Sequence, residues 1–245
     1  MSIDFEINNS VAVLTLNNPK KLNALSIDFI EEIYDDLVDV EKKANVLVIF
    51  GTEKAFAAGV DVNEIEPLSF ERALLNEFID YKWERILNIK IPVISGVEKY
   101  ALGGGFELAL ASDVIIASEN AKFGFPEINL GLMPGLGGTQ LLTRIVGTKK
   151  ASELIMSGDF INAEEALQLN IISKIVPSSD LKKETLNLAN KITKKSLTSL
   201  RLIKEAIQLS QNSGYLQGIK TERNLFRSLF STSYKEKLTK EFLKK

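Results

Sequence analysis

The chain has 245 residues, 45% of them hydrophobic and 25% charged, enough apolar material for a sizeable buried core. It contains no cysteine and no histidine, which excludes disulfides, thiol nucleophiles, Ser-His catalysis and the commonest zinc motifs. Any chemistry must therefore run on carboxylates, lysines, tyrosines, hydroxyls or backbone groups. The net charge of −2 conceals an asymmetry, with −11 over residues 1–120 and +9 over residues 121–245. A basic half could meet a polyanion, but lysines decorating solvated helix faces account for it as well.

Residues 10–16 (SVAVLTL) and 45–50 (NVLVIF) read as strands, the second of them buried. Between them Ile30, Ile33, Leu37 and Val40 recur at helical spacing, with Ser26 placed as an N-cap. Residues 51–67 read as an irregular loop, and a helix is expected over 69–88, ending before Pro92. Further strands are expected at 92–97 and 113–117, with a glycine-led helix between them. Asn162 and Glu165 have the spacing of a capping box. From Ser178 onward the chain reads as consecutive helices: 181–192, 197–209, 215–230 and 234 to the end.

This order predicts an α/β core at residues 1–190 and a helical C-terminal region at 191–245. No apolar run approaches the roughly 20 residues of a membrane span. The acidic N-terminus (MSIDFEINNS) lacks the form of a signal peptide, so the expected location is cytoplasmic, or an organellar matrix after loss of a leader.

Two segments are dense in glycine, ALGGGFELAL (101–110) and GLMPGLGGTQ (131–140). Neither carries the lysine of a P-loop. In the second, Gln140 stands where a dinucleotide fingerprint needs its third glycine. Glycines opening a helix can instead present free N–H groups to a developing oxyanion. Glu107 lies one turn beyond Gly104, about 5 Å along the axis. From spacing alone it reads equally as a complement to the helix dipole. Glu127, in KFGFPEINLG, has apolar neighbours that would raise its pKa if it were buried, or it is a surface loop glutamate.

Five blocks decide between these readings: NNPKKLNALS (17–26), EKAFAAGVD (53–61), IPVISGVEKYALGGGFELALASDVIIAS (91–118), AKFGFPEINLGLMPGLGGTQLLTRIVG (121–147) and ASELIMSGDFINAEEALQLNIISKIVP (151–177). In order and spacing they resemble the crotonase superfamily, and most closely the enoyl-CoA hydratases. The resemblance implies an α/β spiral of ββα units with a helical C-terminal trimerisation region, assembled as a homotrimer or a dimer of trimers. It implies reversible syn addition of water to trans-2-enoyl-CoA, giving 3-hydroxyacyl-CoA as in fatty-acid β-oxidation, with no metal or other cofactor.

By the same resemblance the backbone N–H groups of Val60 and Gly104 form an oxyanion hole. Glu107, kept ionised by the helix dipole, activates water, and Glu127 protonates C2. Lys21, Leu22, Ala58 and Asp61 fall at CoA-contacting positions. Phe242 and Lys245 resemble positions that reach a CoA bound by the adjoining subunit. The acyl pocket is expected from residues 62–90.

The chain departs from the family's pattern at Glu98-Lys99, where Asn-Gly is common, and at Leu141, Phe106 and Phe125. The phenyl rings are expected either to narrow the acyl pocket or to fill core. Two other readings are a Δ3,Δ2-enoyl-CoA isomerase, which needs one well-placed acid, and a non-catalytic acyl-CoA- or RNA-binding scaffold. Retention of Glu107 argues for hydration over isomerisation, and a scaffold would need neither acid, so nucleic acid is not expected as a partner; nor, without a span, is a membrane.

Overall fold

The computed structural model describes residues 2–75, 83, 86 and 88–243. Nine strands form two sheets among these residues. The larger has the order β1-β2-β3-β4-β6-β9, from β1 (Ser2–Asn8), β2 (Val11–Asn17), β3 (Val46–Phe50), β4 (Val93–Val97), β6 (Val114–Ser118) and β9 (Lys174–Val176). β1 pairs antiparallel with β2, and every other pairing in this sheet is parallel. The smaller sheet joins β5 (Tyr100–Leu102), β7 (Lys122–Gly124) and β8 (Phe160–Asn162).

Alternation along the strands explains how the larger sheet is buried. Leu14, Leu47 and Ile49 join Phe29 and Ile33 in the main core, whereas Val13, Val46, Val48 and Phe50 pack with Ala189 on a second cluster. With both faces covered, β3 is apolar at every position, as buried parallel strands are. The helix Ile27–Leu37 buries Phe29, Ile30, Ile33 and Leu37, and Ser26 Oγ accepts from Phe29 N at 3.2 Å. The expected capping box is present, with both Asn162–Glu165 hydrogen bonds at 2.9 Å.

The repeating unit places one strand in each sheet and then a helix. β4 leads to β5 and the helix Gly104–Leu110, and β6 leads to β7, a 3-10 turn Pro126–Leu130 and the helix Gly138–Ser157. The loop after β3 takes the equivalent place. Ala57 bridges in parallel to Ala101, with Ala57 N donating to Tyr100 O and Leu102 N donating to Ala57 O. This pairing sets residues 57–60 beside residues 101–104. The expected loop at 51–67 is corrected in part, since Val62–Ile65 forms a helical turn capped by Asp61. Of the expected helix over 69–88, Phe70–Leu75, Trp83 and Ile86 are helical, and the other positions from 76 to 87 lie outside the described residues.

The C-terminal helices are Leu181–Thr193, Leu197–Asn212, Tyr215–Ser228 and Ser233–Phe242. The first packs on the sheet, and the second is fastened by buried Lys204. The last two bury no residue and leave Leu216, Phe226, Phe230 and Phe242 exposed. No helix among the described residues is long and apolar enough to cross a membrane.

Candidate active site

A cavity of about 400 Å³ opens where the loop after β3 meets the glycine-led helix. Its lining includes Ala58, Gly59, Val60, Gly103, Glu107, Glu127 and Leu136. Val62, Ile65, Leu68, Phe70, Leu130, Leu132 and Met133 add an apolar wall, so the 62–90 segment does contribute where it is described.

Close backbone approach builds the floor. A Cβ on Gly59 would lie 3.2 Å from Leu102 O and 3.8 Å from Gly104 N. Gly103 has φ +50°, and a Cβ there would lie 2.9 Å from Glu127 Oε1, so glycine is required on both counts. Gly104 opens its helix and leaves its N–H without an intrahelical acceptor. Neither the Val60 N–H nor the Gly104 N–H has an acceptor among the described residues. Val60 and Gly103 line the cavity, and Gly104 follows Gly103 directly at the start of the helix.

Glu107 is 1% exposed, and its Oε1 accepts the N–H groups of Leu136 and Gly138, each at 2.7 Å. This is the work of the second glycine-dense segment, which cradles a carboxylate of its own chain rather than a phosphate. Burial pushes the Glu107 pKa up to about 7, against the two amide hydrogen bonds and with help from the charge of Glu127. The helix dipole is expected to favour the carboxylate, and burial, the largest influence on this group, acts in the opposite direction. Glu127 sits in the 3-10 turn after Pro126, and burial raises its pKa too. Its Oε2 is buried with no hydrogen-bond partner among the described residues.

The predicted CoA-contacting residues fall into two groups. Lys21 and Asp61 form an ion pair that lowers the Asp61 pKa, and Ala58 N donates to Leu22 O at 3.0 Å. Of these four, Ala58 lines the cavity. Phe242 is 79% exposed and does not line this cavity, and Lys245 lies outside the described residues. Sequence reasoning missed Asn23, fully buried, whose Nδ2 donates to Ala55 O and Phe56 O at 2.8 and 3.0 Å. It anchors the segment leading to Val60, and the only sequence signal was its place within NNPKKLNALS.

Phe106 and Phe125 resolve as core. Each is at most 1% exposed, their centroids are 4.8 Å apart, and neither lines the cavity. Lys99 adopts φ +52°, the left-handed backbone that Gly would take freely.

The family model for enoyl-CoA hydratase/isomerase matches residues 6–245. The chain belongs to the enoyl-CoA hydratase/isomerase family. It is 43% identical to a probable enoyl-CoA hydratase of Rhizobium meliloti, over 93% of this chain and 89% of that one. Enoyl-CoA hydratase subunit I of Geobacillus kaustophilus superposes with a TM-score of 0.97 at 39% identity, covering 100% of this chain and 95% of the other. An enoyl-CoA hydratase from Bacillus anthracis gives 0.94 at 31% identity, covering 100% and 96%. The spiral α/β fold of this enoyl-CoA hydratase/isomerase family member is shared with both. Among the described residues, no group of three or more Asp or Glu side chains is placed to hold a metal ion.

Proposed function

We propose that the protein is an enoyl-CoA hydratase that adds water across the C2=C3 bond of trans-2-enoyl-CoA thioesters. The observation that carries this reading is the convergence of Glu107 and Glu127 on the cavity bordered by Val60 and Gly103. The thioester carbonyl is taken between the Val60 and Gly104 N–H groups, each worth about 3–4 kcal/mol to an oxyanion. Electron density drawn toward that oxygen leaves C3 electrophilic. Glu107, with a pKa of about 7, is poised to take a proton from water at neutral pH, and its Oε2 has no donor among the described residues. Glu127, its pKa raised by burial, supplies the proton to C2. After product leaves, Glu107 releases the proton it gained and Glu127 takes one up from solvent, so one water is added and both carboxyls return to their starting states.

Lys21, Leu22, Ala58 and Asp61 are proposed to meet the CoA moiety. Phe242 and Lys245 are proposed to complete a neighbouring subunit's site, with residues 191–245 as the packing region of a trimer or dimer of trimers. No cofactor is needed by this mechanism.

Loss of enoyl-thioester absorbance tests it, with wild type, Glu107→Gln and Glu127→Gln run in parallel on short- and long-chain substrates. Hydration by wild type that is lost in both variants supports the two-glutamate mechanism. Turnover of 3-enoyl-CoA without hydration points to an isomerase. No turnover by folded, CoA-binding protein removes both readings.

A further inference from the structure

The carboxyl of Glu107 is held by a loop, and the loop is held by an indole. Leu136 and Gly138 donate their N–H groups to the same oxygen, Glu107 Oε1. Between them Gly137 has φ 105° and ψ 0°. A left-handed residue in that position turns the N–H groups on either side toward a common point, forming a concave anion site of main-chain donors. The peptide linking Leu136 to Gly137 is gripped separately. Its carbonyl accepts the Trp83 indole N–H, with Nε1 to O at 3.0 Å.

Trp83 is 3% exposed and is the only tryptophan in the chain. A phenyl ring would fill most of its space. The indole N–H is the part that a purely space-filling residue would not need. Leu136 also lines the cavity, so the residue gripped by Trp83 faces that cavity as well as bonding Glu107.

We infer that Trp83 is a positioning residue for Glu107: its indole N–H fixes the Leu136 carbonyl, and with it the two amides that orient the carboxylate. This rests on the reading of Glu107 as the base. Among the described residues, Glu127 is the ionisable group whose charge acts on Glu107.

The lone indole makes the coupling measurable without turnover. Tryptophan emission of the wild-type protein is followed from about pH 5 to 9, alongside Glu107→Gln and Glu127→Gln. The emission of wild type is expected to titrate with a midpoint of about 7, to persist in Glu127→Gln, and to go flat in Glu107→Gln. Flat emission in wild type, or an unchanged titration in Glu107→Gln, overturns the inference. Absence of hydration by wild type would instead count against the functional reading.

Trp83→Phe supplies the kinetic arm. It is expected to lower kcat about tenfold with KM little changed. Loosened amides stabilise the Glu107 carboxylate less, so the acid limb of kcat/KM moves to higher pH. A Trp83→Phe enzyme with the wild-type kcat and pH profile overturns the inference, whatever its melting temperature.

Discussion

Gly138 N–H donates to Glu107 Oε1 across 31 positions of sequence, at a distance that leaves Gly138 no room for a side chain. A Cβ on Gly138 would lie 2.9 Å from that oxygen and 2.6 Å from Phe125 Cζ. Gly138→Ala is therefore expected to displace the proposed base and lower kcat roughly 100-fold. Overpacking should cost about 1–3 kcal/mol of stability. Steady-state kinetics and denaturant unfolding on one preparation check both halves, and wild-type kcat would show that the seat of the carboxyl is not critical.

Glu107→Gln should trade activity for stability. Burial raises the folded pKa from 4.5 to about 7, so the protonated form is favoured in the folded chain. That contribution is fully present below about pH 4.5 and is lost as pH rises toward 7. The variant, having nothing to ionise, is expected to exceed wild type in stability at pH 8 by up to about 3 kcal/mol. The gap should close toward pH 5, while hydration falls about 100- to 10,000-fold. Unfolding curves at both pH values decide it.

The same ionisation shapes the rate profile. On the proposed mechanism kcat/KM rises with pH as Glu107 loses its proton, with a limb at about 7. Burial raises the Glu127 pKa, and loss of its proton opposes that rise because the acid is needed protonated. A profile flat from about pH 5 to 8 would contradict the assignment of base.

Lys204 is 5% exposed and bonds Asp113 Oδ2 at 2.7 Å and Ile91 O at 3.0 Å, while Asp113 Oδ2 also accepts Val93 N at 2.7 Å. Lys204→Met removes the donor to the Ile91 carbonyl and to the partly exposed Asp113 carboxylate and should cost about 1–2 kcal/mol. None of these groups lines the cavity, so kcat at low temperature should be unchanged.

Lys99→Gly should stabilise the protein by ~1 kcal/mol, since Lys99 carries φ +52° and its own carbonyl and that of Glu98 keep the turn bonded to Lys122 N and Phe56 N. A denaturant midpoint at or below that of wild type would show that the lysine side chain offsets the strain.

The central strands and the Ile27–Leu37 helix were legible because apolar periodicity and a cap agree in them. β5, β7 and β8 were not, since three residues are too few for any period to register. β1 hides its alternating Ile3, Phe5 and Ile7 behind Asp4, Glu6 and Asn8, as an edge strand does. The helix Gly138–Ser157 is broken in backbone geometry at Gly147, φ 80°, which blurs its pattern. At the site, Glu107 and Glu127 could be read because carboxyls mark themselves. The amides of Leu136 and Gly138 could not, because main-chain donors leave no side-chain signature, and a solitary tryptophan gives no hint of which carbonyl it will meet.

The pairing of residues 57–60 with residues 101–104, and of Glu107 with the 136–138 loop, has a kinetic consequence. Each link closes a long loop of chain: Ala57 to Ala101 in the first case, and 29 and 31 residues in the second. Loops of this kind form slowly and late compared with helices such as Leu197–Asn212. During refolding from denaturant, helical signal should therefore return well before the ability to bind an acyl thioester, and the newly collapsed chain will pass through a stage in which it has its secondary structure but no pocket.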